Sequence, residues 1–423
     1  MLIEIRAKNC LAFNEQVAFS MKADMRTKKF ISNIHQRESI NILKVAGVYG
    51  ANNTGKTCLI KCIKYIKDVI LHEKTKIYSN IFTDDNIVEL GISFLHEENE
   101  YRYDFKYDTE KHEYVYEKFS KITVDKYGNA AEHILILRNI SENEYTCVSN
   151  DLKKILPLMA RNNILIYLID SNSFDEIDEM KNVLVSFANK LDIVDMNNIP
   201  IKKTIDILKN ESKFQDKVVE FIKNSDLYLE DYKYLETSSL IIKDMNGEEK
   251  PAEEVLNLKN RVMDQFKLVS VYKGVPVPSL LFDSTGTKKI AALASYIVET
   301  ISEGRTLIID EMDSSIHFKL SRSIVAMFNN ELNTDAQLIF TVHDISLMDC
   351  KKLFRKEQIW FVHKDYEGVY LYPLSQFTAE DGIRDTIDIK EKYRKGILGA
   401  VPDPKLINSL LDLKAKPRRD INE

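Results

Sequence analysis

One segment constrains this chain more than any other, because it fits the order G-x-x-x-x-G-K-[ST] from Gly50 to Thr57 without a mismatch. An apolar run typical of a buried strand, residues 41–49, comes directly before it. After it, apolar residues recur at helical spacing from Leu59 to Ile70. A strand, a glycine-bounded loop and a helix in this order predict an α/β fold in which the loop binds phosphate at the start of the helix.

Each residue type in this loop has a physical role in binding phosphate. Glycine at positions 50 and 55 lets the backbone curl so that successive N–H groups point at phosphate oxygens. We expect Lys56 to reach the β- and γ-phosphates, and the Thr57 hydroxyl to complete the ligand shell of a Mg²⁺ ion that bridges them. The motif therefore predicts ATP and Mg²⁺ as cofactors. The alternative is a chance glycine turn with an exposed lysine. The residues expected to hold the nucleotide are Gly50, Ala51, Asn52, Asn53, Thr54, Gly55, Lys56, Thr57 and Cys58.

A second motif ends an apolar strand with two carboxylates. The run from Thr306 to Ile309 is followed by Asp310 and Glu311, and an apolar strand carries charges at its tip only where the tip enters a polar site. We expect Asp310 to hold Mg²⁺, and Glu311 to orient or deprotonate a water for attack on the γ-phosphate. The alternative is an acidic N-cap for the following helix.

Two further features lie on either side of this strand. The apolar run from Leu338 to Val342 ends at His343. A neutral imidazole at such a strand end can hydrogen-bond the γ-phosphate or the attacking water, and a histidine satisfied by loop backbone is the alternative. Ser284 and Gly286 precede an amphipathic helix, where a serine, a glycine and a helix N-terminus together form a second anion-binding surface. By themselves these two residues also fit an ordinary N-cap.

Composition excludes several classes of protein. Lys and Arg number 59 and Asp and Glu 65, a net charge of −6, so the molecule as a whole lacks the basic surface of a dedicated nucleic-acid binder. The five cysteines have no zinc or disulfide spacing, which fits a reducing compartment. No segment has the pattern of a secretion signal or the apolar length of a membrane span. We therefore expect a soluble, cytoplasmic protein without a membrane partner.

The pattern of the chain changes along its length. Residues 86–124 alternate apolar and polar side chains, as antiparallel strands with one exposed face do. Residues 150–252 are helical and strongly charged, without a sustained heptad. After Gln265, strand-like and helical runs alternate, which predicts a largely parallel sheet covered by helices. The expected segments are 1–149 with the phosphate loop and an antiparallel β subdomain, 150–252 as a mainly helical insertion, 253–405 with the other motifs, and 406–423 as a tail.

The order of these motifs resembles that of ABC-type ATPases, and more narrowly that of their SMC-like and RecF-like branch. The segments that begin at Asp310, Thr341, Gln358 and Tyr393 also closely resemble AAA-family ATPases of bacterial abortive-infection and other antiphage systems, which are related to the OLD proteins. The resemblance implies an ABC-type P-loop head with a mixed, largely parallel core sheet, an antiparallel β subdomain and an α-helical insertion. Its motifs correspond to Walker A at 50–57, the signature at 284–288, Walker B at 307–311, the D-loop at 312–317 and the switch histidine at His343.

The resemblance also implies a site shared between two chains. In the resembling family, the signature of one subunit closes on the nucleotide held by Walker A of another. Ser284 and Gly286 are therefore expected to donate across a homodimer or a higher homo-oligomer. Two positions depart from the family pattern: His317 stands where the D-loop aspartate is usual, and no residue is assigned to the Q-loop glutamine. The catalytic residues that the resemblance implies are Lys56, Glu311 and His343.

The function expected from this resemblance is an ATP-hydrolysing switch. It would be the sensor or regulatory subunit of a bacterial antiphage defence system and would control a separate effector, a nuclease or a toxin. The alternative is a RecF-like or SMC-like repair ATPase that binds DNA, although the chain has no long coiled coil to embrace it. A transporter ATPase fits poorly, because the signature reads Asp-Ser-Thr-Gly-Thr over 283–287.

Overall fold

The computed structural model describes most of the chain. The described residues are 1–37, 40–124, 130–169, 175–225, 228–235, 241–243, 248–251, 264–378, 380–383, 388–399, 401, 406, 407, 409 and 413. In chain order their strands are β1 (Leu2–Lys8), β2 (Val17–Ser20), β3 (Ile34–Gln36), β4 (Asn41–Leu43), β5 (Val45–Tyr49), β6 (Ile87–His96), β7 (Asn99–Asp108), β8 (Glu113–Val124), β9 (Ala130–Asn139), β10 (Glu144–Cys147), β11 (Leu191–Asp195), β12 (Asp231–Tyr234), β13 (Ile241–Lys243), β14 (Glu249–Pro251), β15 (Leu268–Tyr272), β16 (Val275–Pro278), β17 (Thr306–Asp310), β18 (Gln337–Val342), β19 (Ile359–Lys364) and β20 (Val369–Pro373).

Two of the α-helices in the same ranges begin at predicted motifs, α1 at the phosphate loop and α8 at the signature. They are α1 (Lys56–Ile70), α2 (Asn150–Ile155), α3 (Leu165–Leu168), α4 (Asp175–Asn189), α5 (Lys202–Lys209), α6 (Gln215–Lys223), α7 (Ser279–Phe282), α8 (Thr285–Glu303), α9 (Phe318–Phe328) and α10 (Ile389–Arg394). None of these helices is long and apolar enough to cross a membrane.

Six strands form a central sheet in the order β11-β17-β18-β5-β19-β20. Its neighbours pair in parallel, except that β19 and β20 are antiparallel. Strands β5, β17 and β18 are buried along their whole length, which explains why the sequence has continuous apolar runs there instead of an alternation. Because the strands are parallel, the three motifs that follow them lie at the same edge of the sheet.

A seven-stranded antiparallel sheet, in the order β10-β9-β8-β7-β6-β1-β2, packs beside the central sheet. One apolar core joins it to α1, to α4 and to one face of the central sheet. Within that core the ring of Phe94 on β6 stacks on Phe187 of α4, with 4.0 Å between the ring centroids. The predicted fold class, an ABC-type α/β head with a largely parallel core sheet and an antiparallel β subdomain, is confirmed by this arrangement.

The segment predicted to be a mainly helical insertion, 150–252, is more varied than expected. Its helix α4 belongs to the core of the head. Its strand β11 pairs in parallel with β17 at the edge of the central sheet. Helices α5 and α6 pack with the three-stranded sheet β12-β15-β16 and with one flank of α8 in a separate apolar cluster. The boundaries at 252 and 405 and most of the tail, 406–423, lie outside the described residues, so the division into segments stays a proposal.

Candidate nucleotide-binding site

The loop between β5 and α1 has a backbone that suits glycine at two positions. Gly55, directly before α1, has a φ of 113°, a conformation that side chains rarely allow. A Cβ atom at Gly50 would lie 2.5 Å from the backbone oxygen of Val362, closer than any real contact. The loop therefore follows the tight path that the motif predicts, and it ends at the positively polarised start of a 15-residue helix.

Lys56 is buried at the centre of this loop. Its Nζ atom donates hydrogen bonds to the backbone oxygens of Gly50 and Ala51, each at 2.8 Å, and lies 3.4 Å from Nδ1 of His343. Burial lowers the pKa of Lys56 to about 8, and the carboxylates of Asp310 and the acidic residues after it partly oppose this effect. The lysine, the histidine and the acidic strand end, far apart in the sequence, thus share one electrostatic environment.

A threonine on the neighbouring strand positions the two carboxylates. The hydroxyl of Thr341, on β18, donates to the carboxylate of Asp310 and accepts a hydrogen bond of 2.8 Å from the backbone N–H of Glu311. Glu311 has a φ of 54°, which is unusual for a residue other than glycine. The chain therefore turns sharply directly after Asp310. Neither carboxylate caps the following helix, because the side chain of His317 caps α9.

His343 is held by a carboxylate that the sequence did not single out. Asp313 accepts hydrogen bonds from the backbone N–H groups of His343 and Asp344, at 2.9 and 2.7 Å. Because an ammonium group only donates, the contact with Lys56 leaves Nδ1 of His343 as an acceptor and its proton on Nε2. The imidazole therefore keeps one N–H group that can donate a hydrogen bond to a phosphate oxygen. Its ring contact is with Lys56, which disfavours the alternative of a ring satisfied by loop backbone.

Another residue that the sequence patterns did not single out, Asn197, is in contact with Glu311. The side-chain amide of Asn197 donates to Oε2 of Glu311 at 2.7 Å, and its oxygen accepts a hydrogen bond of 2.8 Å from the hydroxyl of Ser314. Asn197 follows β11, which lies next to β17 in the central sheet. The only sequence signal for it is the short apolar run from Leu191 to Val194, within a charged, largely helical segment.

An open cleft of about 980 Å³ brings most of the predicted site together. Beside the loop, the residues that line it include Glu311, His343, Asp344 and Tyr393. Thr57 is exposed in the first turn of α1, and Asp310 is buried close to Lys56. The predicted residues of Walker A that line the cleft are Gly50, Ala51, Asn52, Asn53, Thr54, Gly55, Lys56, Thr57 and Cys58.

The two predicted signature residues are not among the described residues that line this cleft. The hydroxyl of Ser284 accepts a hydrogen bond of 3.1 Å from the backbone N–H of Thr287, so Ser284 is the N-cap of α8. A Cβ atom at Gly286 would lie 2.8 Å from the backbone oxygen of Ser315. Glycine is therefore needed where the start of α8 approaches the segment after Walker B. The N-cap role, which the sequence left as the simple alternative, is present in the structure.

The residues at this sheet edge fit a magnesium ion. Magnesium binds hydroxyl and carboxylate oxygens and usually keeps further positions for water and for phosphate oxygens of the substrate. Thr57 supplies an exposed hydroxyl at the end of the phosphate loop, and Asp310 supplies a carboxylate whose position Thr341 fixes. These two groups are the ones that the sequence predicted as ligands.

The fold and the cleft define an α/β domain with a P-loop at the edge of a largely parallel sheet. A family model described as "AAA domain, putative AbiEii toxin, Type IV TA system" matches residues 45–349, which include the phosphate loop, the signature, the acidic strand end and His343. The chain belongs to this family.

Comparison with solved structures finds two SMC heads of similar extent. One is the SMC head domain from Thermotoga maritima, with 14% identity, 88% of this chain and 98% of that chain covered, and a TM-score of 0.40. The other is an SMC head bound to the C-winged helix domain of ScpA, with 11% identity, 90% and 99% of the two chains covered, and a TM-score of 0.46. No curated protein matches the chain.

Proposed function

We propose that the chain binds ATP with Mg²⁺ in the cleft at residues 50–58 and hydrolyses it to ADP and phosphate. The observation that carries this proposal is the position of Lys56. Its ammonium group bridges two carbonyls of the phosphate loop and lies within electrostatic range of Asp310 and Glu311. A bound triphosphate would accept from Lys56 in place of those carbonyls and from the N–H groups at the start of α1.

Each polar group at the sheet edge has a role in the proposed hydrolysis of ATP. Thr57 and Asp310 would hold the magnesium ion, which supplies positive charge against the charge that develops on the phosphate oxygens. Glu311, oriented by the amide of Asn197, would accept the proton of the attacking water. The Nε2–H of His343 would donate to the γ-phosphate, with the imidazole held through its backbone by Asp313.

We further propose that hydrolysis needs a second copy of the chain. Ser284 and Gly286 do not line the cleft of their own chain, whereas the start of α8 offers backbone N–H groups suited to an anion. A partner's signature would contact the γ-phosphate, and loss of that phosphate would release the contact. ATP would then close the dimer and hydrolysis would open it.

Two variants test the proposal in opposite directions. Glu311→Gln should bind ATP but lose about 3 kcal/mol or more of transition-state stabilisation, over 100-fold in rate, and accumulate a dimer. Lys56→Ala should stay monomeric with ATP. Light scattering on a size-exclusion column, with ATP and Mg²⁺ and then with a chelator, measures the oligomeric state of both variants. A steady-state ATPase assay measures the rate. Normal steady-state turnover by Glu311→Gln would refute the role of Glu311.

We propose that this switch is the sensor or regulatory subunit of a bacterial antiphage system, acting on a separate nuclease or toxin. The family description names a putative toxin and a type IV toxin–antitoxin system, which supports a role in a locus that contains a toxin. Phage challenge of cells that carry the whole locus, with the chain intact or as Glu311→Gln, tests it. Equal plating of phage on both would contradict the proposal. Turnover that rises on addition of DNA, without any change in phage plating, would favour the repair ATPase instead.

A further inference from the structure

We propose that Asp283 is a positioning residue that fixes the signature to the three-stranded sheet β12-β15-β16, so that this sheet controls whether Ser284 can serve a partner's nucleotide. The inference rests on the proposed two-chain site. It concerns a residue that directly precedes the signature and that has no contact with the chain's own cleft.

Asp283 is a buried carboxylate surrounded by hydroxyl groups. Only 5% of its surface is exposed. Its Oδ2 atom accepts hydrogen bonds from the hydroxyls of Ser270 and Ser279, both at 2.6 Å, and its Oδ1 atom accepts one from Tyr272 at 2.8 Å. None of the ion pairs between described residues involves Asp283. A buried carboxylate without a cation is costly unless several donors satisfy it, so these three hydroxyls hold Asp283 in one place.

The three donors tie Asp283 to one strand and one helix. Ser270 and Tyr272 lie on β15, and Ser279 begins α7. The hydroxyl of Ser279 is also 3.1 Å from the hydroxyl of Tyr232 on β12, which is itself almost completely buried. A movement of β12 against β15 would therefore reach Asp283 through the hydrogen bond between Tyr232 and Ser279.

Ser284 cannot move independently of this anchor. Its Cα atom lies one peptide unit, about 3.8 Å, from that of Asp283. Ser284 is in turn the N-cap of α8. The position of Asp283 thus determines where the signature hydroxyl and the first N–H groups of α8 lie. An ordinary helix cap needs only Ser284, and the buried carboxylate before it has no part in capping.

The same helix is also connected to the chain's own catalytic glutamate. Lys289, in the second turn of α8, donates to the hydroxyl of Ser314 at 3.0 Å. Ser314 donates to Asn197, whose amide donates to Glu311. A shift of α8 that begins at Asp283 would therefore reach two nucleotides, the partner's through Ser284 and the chain's own through Asn197.

The test compares Asp283→Ala with Asp231→Ala, which removes an exposed carboxylate from β12 of the same sheet. Asp283→Ala should bind ATP within twofold of the unmodified chain, because the cleft is intact. In the Glu311→Gln background it should weaken ATP-dependent dimerisation at least tenfold, and Asp231→Ala should not. Tyr272→Phe, which removes one donor and keeps the ring, should weaken dimerisation in the same direction by a smaller factor, and this milder variant covers the case in which Asp283→Ala fails to fold.

Mixing two variants separates positioning from a general loss of structure. Asp283→Ala keeps its phosphate loop and Lys56→Ala keeps its signature, so a heterodimer that the two variants form contains one phosphate loop that faces an unaltered signature. The mixture should hydrolyse ATP several-fold faster than the sum of the two variants alone. Equal ATP-dependent dimerisation of Glu311→Gln with and without Asp283→Ala, or no gain on mixing, would overturn this inference alone. If Glu311→Gln itself forms no dimer with ATP, the two-chain site fails and the inference fails with it.

Discussion

The cleft and the signature are stabilised in different ways, although both carry predicted phosphate-binding residues. In the cleft, Lys56, Glu311 and His343 each lie beyond the end of one of three parallel strands, β5, β17 and β18, and they contact one another or shared partners. The signature is instead held by its neighbour Asp283, which is hydrogen-bonded to the small sheet, and by the close approach of Gly286 to the segment after Walker B. The comparison teaches that the residues proposed to bind a nucleotide lie together in one cleft, whereas the groups proposed to complete hydrolysis lie elsewhere on the surface of the chain.

The largest effect that separates the two regions is expected at Lys56. Lys56→Ala removes the only side-chain cation that contacts the described phosphate loop, so affinity for ATP should fall by 100-fold or more in titration calorimetry. Lys61→Ala, on the exposed face of α1, is the matched control and should bind normally. Undiminished affinity of Lys56→Ala would refute the assignment of the phosphate loop.

A substitution in the signature should lower turnover and leave ATP affinity nearly unchanged. A Cβ atom at Gly286 would lie 2.8 Å from the backbone oxygen of Ser315, so Gly286→Ala should displace the start of α8. We expect ATP affinity of the single chain to stay within about twofold, and turnover to fall by about 100-fold, the scale of a lost oxyanion donor. Gly368→Ala is the control, because a Cβ atom there meets nothing within 4 Å. A matching loss of affinity and turnover would place the signature in the same site as Walker A.

Asn197 tests whether hydrolysis can be weakened from within the cleft. Asn197→Ala removes the hydrogen bond to Glu311 but leaves the phosphate loop intact, so turnover should fall by roughly tenfold at unchanged ATP affinity. Asn198→Ala, which loses only a contact with Asp195, should leave turnover unchanged. Normal turnover of Asn197→Ala would show that Glu311 needs no orientation from β11.

The cleft residues could be located from the sequence because they follow strand patterns that are easy to recognise. Walker A, Glu311 and His343 each come after a run of five or six buried strand residues, and parallel strands bring their ends together without any further information. The same reasoning assigned the antiparallel subdomain from the alternation over 86–124. Local pattern and long-range contact agree in these elements.

Asn197 and Asp283 could not be predicted for a common physical reason. β11 has five residues in charged surroundings, and it becomes recognisable only through its pairing with β17, more than 100 residues later. Asp283 looks like one more polar residue before an N-cap, and only the structure shows that Ser270, Tyr272 and Ser279 converge on it. Both residues act through partners whose proximity depends on the completed fold.

The smallest predicted effect concerns the pH dependence of ATP binding, and it belongs to the cleft alone. Burial lowers the pKa of Lys56 to about 8 in the free chain, and a bound triphosphate would raise it. A group whose pKa rises on binding contributes fully below its pKa in the free chain and loses that contribution as the pH rises through it.

ATP affinity should therefore be nearly constant from pH 6.5 to 7.5 and fall about fivefold between pH 8 and pH 9. Titration calorimetry at pH 8.5 in two buffers of different ionisation enthalpy should detect proton uptake on binding. The Gly286→Ala variant should have the same pH profile, because the signature takes no part in binding by a single chain. Constant affinity up to pH 9 without proton uptake would mean that Lys56 is as fully charged in the free cleft as in the occupied one, and that its bonds to Gly50 and Ala51 already offset its burial.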